Sequence, residues 1–275
     1  MKLKFIYLLL VVFSLSACSE YTKVLKNPDI EYRYNFAKKY FEQGKFSRSA
    51  TILGDLYPVL RGTAYGEEAL YLLARSHYGM KDYTSASQYF TTYYKTYPKG
   101  QYTELARFYS AYGLYMDSPE PRLDQTRTYK AMEQFQEFIE YYPQSERKDE
   151  AQAILFELQE KLAYKELLAV RLYYNLGNYV LGAPFPGGNY TSAVITAQNA
   201  LRTYPFSYHK EDFMFYIIRS KYAMADQSID EKKELRFRDV IDDYYAYKNE
   251  FPDGKYLRQV QKIFESAQKQ LKENI

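Results

Sequence analysis

The sequence contains no tryptophan, one cysteine and only two histidines among its 275 residues. A single cysteine excludes an internal disulfide, and the two isolated histidines, His77 and His209, supply neither a zinc-ligand set nor a catalytic triad. Phosphate-binding and dinucleotide-binding glycine patterns do not occur either. We therefore expect no catalytic residue, no metal and no cofactor, and we do not expect an enzyme.

Long hydrophobic segments are also lacking. The apolar run from Phe5 to Phe13 has nine residues, whereas a membrane-spanning helix needs about 20. Lys2 and Lys4 precede this run and Leu15-Ser16-Ala17-Cys18 follows it, an order that is typical of a secretory signal and looks like a bacterial lipobox. We expect a lipoprotein signal peptide at 1–17 and an acylated Cys18 that begins a short tether, 18–26. An ordinary signal peptide or a buried core cysteine is the alternative.

Neither sign of charge dominates the chain. Loss of Lys2 and Lys4 with the signal peptide reduces 37 basic residues to 35, against 34 acidic residues, and the formal net charge falls from +3 to +1. Nucleic-acid binding usually requires a clear basic excess. We therefore expect no nucleic-acid partner.

Aromatic residues are abundant, with 34 tyrosines and 17 phenylalanines, and many of them follow a repeated frame. Ala86, Phe90, Tyr93 and Tyr97 lie at 0, +4, +7 and +11, which is one face of a helix, and Pro98 then ends that helix. The same frame recurs at 131–143, 193–205 and 240–252. A weaker copy begins at Phe46 and lacks the proline.

Each copy of the frame is expected to form the second helix of a helical hairpin. This pattern resembles the tetratricopeptide repeat, whose unit has about 34 residues. The prolines of successive copies are 45, 62 and 47 residues apart. Insertions are therefore predicted at 117–121, 182–189 and 226–233, with a long helix near 149–176 and a final helix at 256–271.

The predicted fold class is all-α, a right-handed α-solenoid of about five tetratricopeptide-like helical hairpins with a C-terminal capping helix. Asn27 is expected to cap the first helix, because Pro28 and acidic residues follow it. We divide the mature chain into N-terminal repeats, 27–145, and C-terminal repeats, 146–275.

The first helix of each hairpin would line the concave face of such a stack. The frame places aromatic and basic side chains of the first three repeats on that face: Tyr34, Lys38, Phe41, Tyr71, Arg75, Tyr78, Phe108, Tyr112 and Tyr115. A groove of this kind could bind an extended or amphipathic peptide with aromatic side chains, and its cations could meet a C-terminal carboxylate. The alternative is that half of these tyrosines only pack between neighbouring hairpins.

The lipobox, the five repeats and the mature length of about 250 residues together resemble the BamD family, the tetratricopeptide lipoproteins of the outer-membrane β-barrel assembly machinery. Three stretches strengthen this resemblance, 94–100, 120–125 and 172–179, and their tyrosine-rich style resembles the Bacteroidetes branch. Ser19 follows Cys18. An aspartate at this position would oppose sorting to the outer membrane, so by this resemblance the serine favours the outer membrane. The insertion at 182–189 departs from the family pattern.

The resemblance implies a non-enzymatic scaffold that is lipid-anchored in the inner leaflet of the outer membrane and faces the periplasm. Its N-terminal repeats would recognise unfolded outer-membrane β-barrel precursors, which we call clients. Its C-terminal repeats would bind the periplasmic domains of the barrel insertase, through the helices at 213–225 and 236–250. Two other classes remain open: an envelope adaptor for cell-wall remodelling or division, and a surface glycan-binding lipoprotein, against which the lack of tryptophan counts.

Overall fold

The structure, a computed structural model, describes residues 20–179 and 188–273. Residues 20–26 are helical, eleven further helices follow, and these described parts of the chain contain no strand. The helices are α1 (Ile30–Glu42), α2 (Phe46–Leu60), α3 (Gly66–Gly79), α4 (Tyr83–Thr96), α5 (Thr103–Met116), α6 (Thr126–Tyr141), α7 (Lys148–Leu176), α8 (Gly188–Thr203), α9 (Lys210–Asp226), α10 (Asp230–Glu250) and α11 (Leu257–Glu273).

Neighbouring helices pack in chain order, as they do in tetratricopeptide repeats. From α1 to α6 every helix contacts the next one, and the same holds from α8 to α11. The pairs α1/α2, α3/α4, α5/α6, α7/α8 and α9/α10 are the five predicted hairpins, and α11 follows them. The predicted all-α, tetratricopeptide-like fold is therefore confirmed.

The chain divides into two compact units. The first unit comprises residues 20–119 and 125–155, and the second comprises 120–124 and the described residues after 155. The division falls inside α7, whereas the sequence analysis placed it at 145–146. A continuous helix joins the two units there, so no loop or change of composition marks the boundary.

The repeated frame forms the hydrophobic core of each unit. Ala86, Phe90 and Tyr93 of α4 are fully buried, and the frame positions of the other copies are buried as well: Ala131, Phe135, Phe138, Ala193, Ala197, Ala200, Val240, Tyr244 and Tyr247. Each of these second helices ends one residue before the aromatic residue that precedes its proline. The proline therefore marks the helix end in all four copies, because it has no N–H to continue the helix.

A carboxylate on the first helix ties each later hairpin to the loop that follows its proline. The carboxylate of Glu67 accepts hydrogen bonds from Tyr93 OH at 2.6 Å and Gln101 N–H at 2.7 Å. Three further glutamates bind groups of the later hairpins in the same way: Glu104 with Ser145, Glu160 with Ser207 and Tyr208, and Glu211 with Tyr247 and Tyr256. These bonds satisfy polar groups of the loop that the helices leave without partners.

The N-terminal segment differs from its prediction. Residues 20–26 are helical, Val24 is fully buried, and the ring of Tyr21 contacts that of Tyr40 at 5.8 Å. The expectation of an unpacked tether over 18–26 is therefore wrong for residues 20–26. Three apolar side chains in seven residues, Tyr21, Val24 and Leu25, are too few for a periodic pattern to reveal, although they suffice to pack this segment against the first hairpin.

Two other local predictions need correction. The cap of α1 is Asp29 instead of Asn27, since the Asp29 side chain accepts the Tyr32 N–H at 3.1 Å. The insertion predicted at 226–233 is a short turn, because α10 already begins at Asp230. Residues 182–187 of the insertion predicted at 182–189 lie outside the described residues, and α8 begins at Gly188.

Candidate peptide-binding surface

Three of the nine residues predicted to line the groove are buried. Tyr34, Tyr71 and Phe108 are 2%, 7% and 1% exposed. Tyr71 stacks on Tyr102 with ring centroids 4.1 Å apart, and Phe108 lies 5.4 Å from Phe138. The assignment of these three side chains to an open groove is therefore wrong.

The physical reason is that first helices are buried on more than one side. Helix α3 contacts both α2 and α4, and α5 contacts both α4 and α6. An apolar ring on such a helix can face either neighbour, and its spacing in the sequence does not distinguish a neighbouring helix from solvent. The alternative that many of these tyrosines pack between hairpins describes these three positions.

The first repeat contributes little to an open surface. Lys38 Nζ lies 2.6 Å from one carboxylate oxygen of Glu68, and the other oxygen accepts a hydrogen bond from the Tyr34 OH at 2.5 Å. Phe41 is half-buried and its ring contacts Phe46 at 5.6 Å. The cation of this repeat is thus already paired within the fold.

The second and third repeats place their remaining predicted residues side by side. Tyr78, Tyr112 and Tyr115 are half-buried. Ring centroids of Tyr78 and Tyr112 are 6.1 Å apart, and those of Tyr112 and Tyr115 are 5.6 Å apart. These distances lie within the range of favourable aromatic contacts, so the three rings form one continuous surface.

Two residues that the sequence analysis missed complete this surface. Tyr109 lies 5.2 Å from Tyr78, and the guanidinium carbons of Arg75 and Arg147 lie 5.2 and 5.3 Å from the Tyr109 ring centroid. Two guanidiniums therefore flank one half-buried ring. We call the set Arg75, Tyr78, Tyr109, Tyr112, Tyr115 and Arg147 the aromatic row.

The aromatic row lies within the first unit and carries positive charge at two points. Arg75 donates from its terminal nitrogen to Tyr71 OH at 3.2 Å, while its Nε is buried and meets no acceptor among the described residues. Arg147 bonds to Glu150 at 3.0 Å. Burial, together with the nearby phenols, raises the pKa of Tyr78 to about 12. The Tyr78 phenol is therefore neutral at physiological pH and can donate a hydrogen bond.

Such a surface suits a peptide that presents aromatic side chains and a carboxylate. Aromatic side chains can contact the ring edges of the row, and guanidiniums bind carboxylates through two parallel hydrogen bonds. Tyr109 follows the buried Phe108 directly, and Arg147 lies in the loop before α7. Neither position belongs to the repeated frame, which explains why the sequence analysis missed both.

The second unit carries two shallow depressions. Side chains of α8, α9 and α10 line both. One, about 160 Å³, has Val194, Ile195 and Met224 along its apolar side. The other, about 270 Å³, lies over Ile217 and Ile218. Helices α9 and α10 contain the segments 213–225 and 236–250 that the sequence analysis singled out.

Both histidines of the chain lie next to an aspartate. His77 pairs with Asp82 at 2.9 Å, and His209 lies 3.9 Å from Asp212. Within the described ranges, no group of three or more His, Cys, Asp or Glu side chains could hold a metal ion, and none of the helices is long and apolar enough to cross a membrane. Cys18, the expected lipidation site, lies outside the described residues.

Comparison with known proteins identifies the family of this chain. A family model described as YfiO, outer membrane lipoprotein, matches residues 28–184. The outer membrane protein assembly factor BamD of Pasteurella multocida (strain Pm70) is 25% identical over 183 residues, which cover 62% of this chain and 70% of that relative. Because the family model matches more than half of the sequence, this chain belongs to the YfiO family of outer membrane lipoproteins.

Proposed function

We propose that this protein is a non-enzymatic scaffold for the assembly of outer-membrane β-barrel proteins. Membership of the outer membrane lipoprotein family supports an outer-membrane location, and a relative bears the name of an assembly factor. In this proposal Cys18 is acylated and holds the protein on the inner leaflet, facing the periplasm. Several buried acyl chains give the stable anchoring that a single chain does not.

The aromatic row is the observation that carries the client-binding part of the proposal. An unfolded barrel precursor exposes extended segments in which aromatic side chains alternate with polar ones. Such a segment can lay its rings against Tyr78 and Tyr112 while a carboxylate reaches Arg75 or Arg147. Buried tyrosines elsewhere in the first unit would hold this surface rigid. We therefore assign clients to the N-terminal repeats.

The C-terminal repeats would bind the periplasmic domains of the barrel insertase. The support is the pair of depressions over α9, where apolar side chains lie beside charged residues such as Lys221 and Asp239. Apolar cores with polar rims are typical of protein interfaces. Alanine substitution of the half-exposed Ile195 should weaken binding of purified insertase domains, with the exposed Tyr245 of α10 as a control position.

Peptide binding measured by fluorescence anisotropy tests the client surface. The probe is a labelled peptide from a barrel-precursor strand that ends in an aromatic residue and a free carboxylate. Arg75→Gln and Tyr112→Ala should each raise the Kd by roughly fivefold to tenfold, because each removes a contact of about 1 kcal/mol. Tyr129→Ala is the matched control, since Tyr129 is an exposed tyrosine on α6, outside the row.

An amidated version of the same peptide isolates the contribution of the carboxylate. It should bind the unmodified protein more weakly than the free acid, and Arg75→Gln should remove most of that difference. Equal Kd values for all variants, or an equal loss in Tyr129→Ala, would show that clients do not bind at the aromatic row.

A further inference from the structure

We propose that one end of the first unit rests directly on phospholipid headgroups. This end, which we call the anchor end, comprises the α1–α2 turn and the α3–α4 turn. The inference goes beyond the anchoring role of Cys18 and rests on that part of the proposed function, because the acylated cysteine brings the chain to the bilayer. It concerns which surface of the folded protein then meets the membrane.

The chain between the anchor, Cys18, and the folded part of the protein is short. Cys18 and Glu20 are two residues apart, so the connection spans at most about 7 Å in any conformation. Folded structure begins immediately afterwards. Glu20 lies 3.7 Å from Lys39 Nζ, and Val24 is fully buried. An unpacked tether over 18–26 would have allowed roughly 25–30 Å, so the body lies much closer to the bilayer than that.

The packing of Tyr21 shows which end of the unit is involved. Its ring contacts Tyr40 in the last turn of α1, and the guanidinium of Arg48, in the first turn of α2, lies 5.2 Å from its centroid. The chain therefore reaches the fold beside the α1–α2 turn. A small depression lined by Lys45, Phe46 and Met80 joins this turn to the α3–α4 turn.

The side chains of the anchor end suit a headgroup region. The exposed residues in and beside these two turns include four lysines and one methionine: Lys23, Lys39, Lys45, Lys81 and Met80. Three acidic residues lie there as well: Glu20 and Glu42, which are exposed, and Asp82, which is half-buried. Glu20 faces Lys39, and Asp82 accepts the Ser85 N–H and contacts His77. A net positive charge beside an apolar side chain favours an anionic phospholipid surface.

The opposite end of the same hairpins provides an internal control. Helix α3 has 14 residues, and at 1.5 Å per residue its two ends are about 20 Å apart. The α2–α3 and α4–α5 loops lie at that far end and carry the exposed cations Arg61 and Lys99. Both ends therefore offer exposed cations for labelling, and they differ in their distance from the chain entry.

Single-thiol labelling tests the proposal on the mature lipoprotein. Cys18 is the only cysteine of the chain and acylation consumes its thiol, so Lys45→Cys or Lys81→Cys provides one labelling site for a fluorophore. Arg61→Cys and Lys99→Cys are the far-end controls. The labelled protein is reconstituted into vesicles of phosphatidylethanolamine and phosphatidylglycerol that carry a quencher on the headgroups. We expect strong quenching at 45 and 81, and little at 61 and 99.

Equal quenching at both ends, or stronger quenching at 61 and 99, would overturn the proposal. In vesicles of phosphatidylcholine alone, which carry no net charge, quenching at 45 and 81 should weaken but stay stronger than at 61 and 99, because the short connection to Cys18 still holds this end near the bilayer. An unchanged signal at 45 and 81 would overturn the role of the lysines. Lack of acylation at Cys18 would give a result that differs from failure of this proposal. Unacylated protein would stay outside the vesicle fraction and would bear a second label, on Cys18.

Discussion

Replacement of Asp212 by asparagine should strongly destabilise the second unit, because this carboxylate is buried and holds three partners. The Asp212 side chain is 5% exposed and lies at the start of α9. Its carboxylate accepts hydrogen bonds from Lys255 Nζ and Tyr256 OH, both at 2.7 Å, and from Arg171 at 3.3 Å. Three segments of the unit thus meet at one buried anion.

Glu68 offers a matched comparison in the first unit. It occupies the same position of α3 that Asp212 occupies in α9, one residue after the glutamate that binds the following loop. Its side chain is 36% exposed and accepts from Lys38 and Tyr34. Removing one partner of a buried, hydrogen-bonded ion pair costs about 3 kcal/mol or more, whereas an exposed pair contributes at most about 1 kcal/mol. Asp212→Asn should therefore lower the free energy of unfolding by about 3 kcal/mol, and Glu68→Gln by about 0.5–1 kcal/mol.

The pH dependence follows from the direction of the Asp212 pKa. Burial on its own would raise this pKa, but the hydrogen bonds from Lys255 and Tyr256 and the charges of Lys255 and Arg171 lower it below its usual value. A carboxyl whose pKa is lower in the folded state stabilises the fold above its unfolded pKa, about 3.9. That stabilisation is lost as the pH falls through the folded pKa. The difference between the unmodified protein and Asp212→Asn should therefore be full at pH 7 and shrink below about pH 4.

Urea unfolding followed by a local fluorophore measures the loss of stability in each variant and its dependence on pH. Because the chain contains no tryptophan, Tyr245→Trp on α10 reports on the second unit and Tyr129→Trp on α6 reports on the first. Both tyrosines are exposed at 54%, so the changes should be mild. A loss for Asp212→Asn no larger than that for Glu68→Gln, or a difference that persists unchanged at about pH 3, would refute the reasoning.

Three further predictions use the same fold. Cys18→Ala should release the protein from the membrane fraction on cell fractionation; protein that stays bound would place the anchor elsewhere. Gly54→Ala should raise the thermal unfolding midpoint, because a Cβ there meets nothing within 4 Å and alanine favours helix by about 1 kcal/mol. Gly66→Ala should lower it, since its Cβ would lie 2.5 Å from the Leu60 carbonyl oxygen; the same shift in both variants would contradict this packing. Tyr93→Phe should destabilise the first unit by about 1–2 kcal/mol, because it removes the bond to Glu67 and leaves the packing intact; no change in its urea midpoint would argue against the glutamate bond.

The second helices of the hairpins could be predicted because a local pattern determines where each one forms and ends. Each has a single apolar face with a period of 3.6 residues, and a proline ends it. Ala86 and Phe90 fill the core positions that this pattern assigns to them, and the long α7 also begins and ends close to its predicted limits. Local pattern and tertiary packing agree in these elements.

The first helices and the N-terminal segment were harder to predict because their packing depends on neighbours that are distant in sequence. Tyr71 stacks on Tyr102 of the next hairpin loop, and no local spacing reveals that contact. Tyr109 and Arg147 meet only once α5 and the loop before α7 are folded together. Val24 is buried by a hairpin that follows it in the chain. The sequence therefore identified Arg75, Tyr78, Tyr112 and Tyr115 of the aromatic row, but not Tyr109 or Arg147.

Site-specific photocrosslinking in growing cells tests the central claim most directly. A photoreactive amino acid is placed at Tyr112 in the aromatic row, at Ile195 beside α9, and at Tyr129 as the control, and the crosslinked partners are identified by mass spectrometry. The proposed function predicts unfolded β-barrel precursors at 112, a large β-barrel protein with periplasmic repeat domains at 195, and neither at 129. Recovery of cell-wall synthases in place of barrel proteins, or identical partners at all three positions, would contradict it.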